Sequence, residues 1–168
     1  MNLLKLLRKS KGRGLGGDIK LKGTLAARLI HKDGKVENLG IIADKKVTDA
    51  FVAYLVDSLQ DSTTDPMDAF KYHDTGTGTN AEDKTDTALQ TPCGEARDIG
   101  TQVEGASAWI FKTVSEHTYA GPFAITEHGV FSAAAAATLM DRSVFAAINV
   151  VATDKIEFTY QLTCNSED

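Results

Sequence analysis

Residues 155–163 read KIEFTYQLT, in which Ile156, Phe158, Tyr160 and Leu162 alternate with Glu157, Thr159, Gln161 and Thr163. Alternation this strict sends one set of side chains to each face of a strand, so the segment must bury one side against another layer. Three upstream segments share its strand composition: residues 109–114 (WIFKTV), 123–131 (FAITEHGVF) and 143–151 (SVFAAINVV). Thr153-Asp154 supplies the turn before the last strand. Short strands punctuated by turns predict an antiparallel sandwich or barrel.

The first half of the chain adds a hairpin and a helix. In residues 25–43, LAARLIHKDGKVENLGIIA, apolar runs flank Asp33-Gly34, a strong hairpin signal. Then Val47, Ala50, Phe51, Tyr54, Leu55, Ser58 and Leu59 recur at helical spacing. They predict one amphipathic helix near 45–59, capped by Asp44 or Thr48 and packed on the sheet. Residues 60–67 read as a loop and residues 69–73 (AFKYH) as a strand. Residues 74–87 (DTGTGTNAEDKTDT) lack apolar periodicity and read as an exposed loop. Residues 88–93 are a short edge piece, because Pro92 disfavours a central strand. The expected architecture is therefore mainly β: an antiparallel, jelly-roll-like β-sandwich with one amphipathic helix and an extended N-terminal arm. The arm takes residues 1–23 and a single domain takes 24–168. A chain of 168 residues is long enough for one core of useful size.

Charge separates the two parts. Residues 1–22 carry seven basic residues against Asp18 alone, a balance of +6, which leaves −11 for the remainder of a chain whose net charge is −5. Such asymmetry suggests that arm and body meet different partners. Within the arm, LLKLLRK is followed by SKGRGLGG, whose four glycines make a linker or an extended segment. Four leucines are costly in a solvated tail and useful as anchors, so the arm is expected to order on a partner. The candidate partner-binding residues are Leu3, Leu4, Lys5, Leu6, Leu7, Arg8, Lys9, Lys11 and Arg13.

No constellation points to catalysis. TGTGTN lacks the GxxxxGK[ST] and GxGxxG patterns and opens no apolar helix. The acids Asp74, Glu82, Asp83 and Asp86 do not follow EF-hand spacing. His31, His73, His117 and His128 form no HExxH pair, and GxSxG is absent. Cys93 and Cys164 lack CxxC spacing and read as free thiols, with a disulfide between them left open. No catalytic residue, metal ligand or cofactor is assigned, and the chain is expected not to be an enzyme. The acidic body disfavours nucleic acid. No apolar run reaches the roughly 18 residues of a membrane span. The stretch at residues 3–7 is too short for a secretory signal and precedes its basic cluster.

The order ITEHGVF, LMDRSVF and DKIEFTYQLT resembles a pattern in structural proteins of tailed bacteriophages. There a strand I-T-E-x-G-hydrophobic-F is followed by a small-residue turn, L-x-x-R-x-V-F and a last strand rich in Thr and aromatics. Residues 72–89 are similar to a companion segment, through Tyr72, Gly76-Thr77-Gly78-Thr79, Ala81 and Thr85-Asp86-Thr87-Ala88-Leu89. The chain departs from the pattern at the five alanines 133–137, where those proteins carry a glycine-containing turn. The resemblance implies a virion protein of the capsid surface, made in the host cytoplasm. It would be a decoration or cement protein and a homo-oligomer, dimer or trimer, that binds the major capsid protein or other virion proteins through its arm. It also implies that Glu127 and Arg142 pair between strands. Alternatives are a tail, neck or fibre component and, on fold analogy alone, a host-surface carbohydrate-binding module.

Overall fold

Nine strands, one α-helix and a single 3-10 turn (Met67–Ala69) make up the computed structural model, which describes residues 19–45 and 47–166. The strands are β1 (Ile19–Ile30), β2 (Val36–Lys45), β3 (Tyr72–Gly76), β4 (Asp98–Ile99), β5 (Thr101–Glu104), β6 (Ile110–Thr118), β7 (Phe123–Phe131), β8 (Leu139–Val150) and β9 (Lys155–Ser166). Helix α1 is Asp49–Gln60. Two antiparallel sheets face each other, ordered β2-β1-β9-β6-β5 and β4-β3-β7-β8. The antiparallel β-sandwich expected from the strand pattern is thus the observed fold. Within the described residues β1 pairs with β9 from Ile19↔Ser166 onward.

The alternating segment is the centre of the larger sheet. β9 pairs with β1 on one side and β6 on the other, and Ile156, Phe158, Tyr160 and Leu162 are all buried. Leu25, Ala27 and Leu29 of β1 extend the same inner face. Each large side chain so buried contributes about 1.5–3 kcal/mol relative to exposure. The outer face of this sheet meets water and carries exposed ion pairs, Arg28–Glu157 at 2.6 Å and Lys155–Glu116 at 2.6 Å, which solvent screens.

The predicted hairpin forms around Asp33-Gly34. Gly34 sits at φ +85°, and Asp33 Oδ1 accepts from the Lys35 amide at 2.9 Å. Asp154 ties this turn to the one before β9, accepting from the Lys32 amide at 2.8 Å and the Val151 amide at 3.0 Å. Those two N–H donors, Val151 foremost, hold its carboxyl below the ordinary aspartate range.

Thr48, and not Asp44, caps the helix. Its Oγ1 accepts from the Phe51 amide at 3.1 Å and donates to the Leu139 carbonyl at 2.5 Å, so one hydroxyl caps α1 and fastens it to β8. Asp44 belongs to β2. Phe51 packs edge-on against Phe70, which also meets Tyr54. Leu59, placed on the inner face by its spacing, is 82% exposed, because the helix ends at Gln60 beyond the edge of its contact with β8.

The smaller sheet is buried on both faces, which explains why ITEHGVF and LMDRSVF do not alternate. His128, Val130, Asp141 and Ser143 are buried in the same strands as Glu127, Phe131, Leu139 and Arg142. The second group faces the connection 77–97, which lies over the sheet as a third layer. Leu89 of that connection forms a small apolar cluster with Phe131 and Leu139. The exposed loop expected at residues 74–87 is corrected in part: residues 74–76 are buried strand, whereas residues 79–81 and 83–85 form an exposed loop as expected, tied to the sheet by hydrogen bonds. Its polar composition hid this, because the fastening is done by hydrogen bonds and ions instead of apolar side chains.

Candidate functional site

Three places gather polar or apolar side chains in a way that bears on function. The first is the fastening of residues 77–97. Glu127 is fully buried. Its Oε1 accepts from the Gly78 amide at 3.0 Å and the Thr91 amide at 2.7 Å, and its Oε2 from the Gln90 amide at 2.9 Å. Arg142 Nε donates to the same Oε2 at 2.8 Å, Nη1 to Asp86 at 3.0 Å and Nη2 to the Asn80 carbonyl at 3.2 Å. Burial alone would raise the Glu127 carboxyl, but the Thr91 and Gln90 amides, the guanidinium and the Gly78 amide outweigh it and hold it below its ordinary value. Nearby, Arg97 Nε donates to Asp74 at 3.2 Å and Nη1 to the Ala133 carbonyl at 2.9 Å, with its guanidinium carbon 3.6 Å from the centre of the Phe131 ring. The alanine run is thereby anchored: residues 132 and 138 close a tight connection in which Ala136 adopts φ 47°. These bonds tie residues 77–97 and the 132–138 connection to the smaller sheet.

The second place lies between the sheets. His73 Nδ1 is 2.9 Å from His128 Nε2, and His73 Nε2 is 3.0 Å from Thr113 Oγ1. His128 Nδ1 is buried without a partner. The arrangement that strands no N–H has His128 Nε2–H donating to His73 and His73 Nε2–H donating to Thr113. Burial drives the His73 imidazole down to about 3, and burial with the charges of its neighbours drives His128 well below its ordinary value. Both are neutral at pH 7. A third imidazole, His117, contacts Glu95 at 2.5 Å through Nε2 and Asp98 through Nδ1. With both ring nitrogens engaged, it has none with which to activate a nucleophile. Among the described residues, no group of three or more His, Cys, Asp or Glu is arranged to hold a metal ion. Cys93 and Cys164 are free thiols, both raised by burial.

The third place is the surface around Ile19. The predicted partner-binding residues Leu3, Leu4, Lys5, Leu6, Leu7, Arg8, Lys9, Lys11 and Arg13 lie outside the described residues. Ile19, the first described residue, is 70% exposed. It lines two adjoining depressions. The larger, about 1100 Å³, has an apolar floor from Ile19, Leu21, Val47 and Val52. Two ion pairs stand at its rim, Lys22–Asp44 at 2.8 Å and Lys84–Asp49 at 3.3 Å. The smaller, about 590 Å³, lies between Ile19, Trp109, Cys164 and Asn165. Trp109 is 60% exposed, and Val52, Val56 and Leu59 continue the apolar surface along the outer stripe of α1.

Comparison with protein-family models, curated proteins and solved structures finds no match to this chain.

The apolar outer stripe of α1 escaped the sequence reading. Its signal was present: Val52 and Val56 repeat at i and i+4 outside the predicted inner stripe, and Leu59, assigned to that stripe, continues their spacing at i+7, so the helix is apolar on more than one side. Exposed apolar side chains gathered in one region mark an interaction surface more often than scattered ones do.

Proposed function

We propose that this chain is a structural component of a tailed-bacteriophage virion, a decoration or cement protein held to the major capsid protein by its N-terminal arm. The observation that carries the reading is the surface around Ile19, where exposed apolar side chains surround the root of an arm rich in leucine, lysine and arginine. A surface of this kind suits protein docking, and an arm that orders on binding covers much area from a small body. The residues that carry the phage resemblance also converge in space. Glu127, Arg142, Gly78 and Asp86 meet in one buried cluster, with Leu89 packed beside it. Their shared role is to fasten a third layer onto the sandwich, which fits a motif of a rigid shell component.

A carbohydrate-binding module has less support. Such a site stacks sugars on clustered exposed aromatics, and Trp109 is the one exposed aromatic side chain among the described residues. A tail, neck or fibre station remains the alternative within the virion.

Deleting residues 2–17 tests the reading. The truncated protein should keep its β-sheet circular dichroism and a cooperative thermal transition, yet fail to co-sediment with capsids stripped of this protein. Undiminished co-sedimentation would refute the role of the arm.

A further inference from the structure

We propose that in the free protein the groove beside Ile19 is filled by the leucine segment of the same chain, residues 3–7. This inference concerns the isolated chain and does not depend on the virion reading.

The groove offers an apolar surface to an apolar occupant. Ile19, Leu21, Val47 and Val52 supply that surface, and the charged lining is balanced, with Asp44, Asp49, Glu82 and Asp83 set against Lys20, Lys22, Lys84 and Arg142. Among the described residues Asp44 pairs with Lys22 and Asp49 with Lys84, both exposed pairs that rearrange at little cost. At about 1100 Å³ the space matches the upper range of clefts that enclose small ligands. The apolar surface goes on into Val56 and Leu59, so the floor is longer than one side chain.

Chain length selects the occupant. Ile19 and Leu21 are themselves part of the floor, so the chain leaves the body at the groove. Eleven residues separate Leu7 from Ile19, and four of them are glycine. A glycine-rich linker of that length has a root-mean-square span of roughly 20 Å. The leucines are therefore held close to the floor at an effective concentration in the millimolar range. A second copy at micromolar concentration competes at a disadvantage of about a thousandfold. Leu3, Leu4, Leu6 and Leu7 bring apolar side chains to cover the exposed apolar surface of Ile19 and Val52. Occupied in this way, the groove keeps the adhesive part of the arm out of reach until a stronger partner draws it away.

Methyl-labelled full-length protein, alone in solution, supplies the test. Nuclear Overhauser contacts are expected between the methyls of Leu3, Leu4, Leu6 or Leu7 and those of Val52 or Val47. They should be independent of protein concentration and absent from an isotope-filtered sample of mixed labelled and unlabelled chains. Val52→Asp on the floor should return the four leucines to random-coil shifts and speed tryptic cleavage after Lys5 about tenfold, the factor for losing one buried valine contact. Random-coil leucine shifts in the unmodified protein would overturn the proposal. So would contacts that survive isotope filtering, since those would place a second copy's arm in the groove. Loss of capsid binding with the intrachain contacts intact would sink the virion reading alone.

Discussion

Glu127→Gln isolates the fastening of residues 77–97. The substitution keeps the shape of the side chain and removes its charge. Whichever way the amide is turned, its NH2 replaces an oxygen that accepts two donors: Gly78 and Thr91 at Oε1, or Gln90 and Arg142 at Oε2. Two buried donors then face a donor. Leaving a buried polar group unmatched costs about 1–3 kcal/mol, and removing one partner of a buried ion pair costs about 3–5 kcal/mol. Arg142 keeps Asp86, and residues 77–97 can lift to admit water, so a net loss of about 3 kcal/mol is expected. That is a large fraction of the roughly 5–15 kcal/mol that holds a domain folded. Denaturant unfolding should show the loss as a lower midpoint, and hydrogen exchange should show the Gly78, Gln90 and Thr91 amides opening first. Adding Arg142→Met removes the stranded cation and should recover about 1–2 kcal/mol. A Glu127→Gln protein within about 0.5 kcal/mol of the parent, with those amides still protected, would refute the reasoning.

Acid should weaken the fold through the histidines between the sheets. Unfolded histidine binds a proton near pH 6.5, whereas folded His73 resists until about pH 3. Between those values the unfolded chain holds more protons, so stability is full above pH 6.5 and falls as the pH drops towards 3. At pH 5 the loss is about 2 kcal/mol for His73 alone, and His128 adds to it in the same direction. Thermal scans from pH 8 to 4.5 should show this slope, and His73→Gln should flatten it; an unchanged slope in the variant would contradict the assignment. Gly76→Ala should destabilise by about 1–3 kcal/mol, because a Cβ there would press on the Thr91 carbonyl and on Glu127 Oε1. Urea titration of that variant measures it, and parent-like stability would show that the covering layer yields.

The larger sheet was legible because one of its faces meets water. Alternation in β9 and the Asp33-Gly34 turn are local signals, and both structures formed where the sequence placed them. Thr48 was legible as a cap for the same reason. The smaller sheet was readable as strands but not as a doubly covered layer, since burial on both faces erases alternation. The third layer was unreadable from composition: its buried apolar anchor is Leu89, with Cys93 partly buried against the main core, and much of its hold comes from Glu127, Arg142 and Arg97, whose partners lie far away in sequence. The short strands β4 and β5 carry too few residues for a periodic signal. Pairing of Glu127 with Arg142 followed from the phage resemblance, and the structure places them at 2.8 Å. The proposed docking surface at Ile19 was half visible: residues 1–18 stood out by charge and leucine content, whereas the groove at Ile19 needed β1, α1 and residues 81–84 brought together in space.

The most direct test of the proposed virion assignment is a search for this chain in purified phage particles by quantitative protein census, paired with antibody labelling under the electron microscope. A copy number of the same order as the major capsid protein, with label spread over the head, is the predicted result. Label confined to one vertex or to the tail would contradict the decoration role, and absence from the particles would contradict the virion assignment altogether.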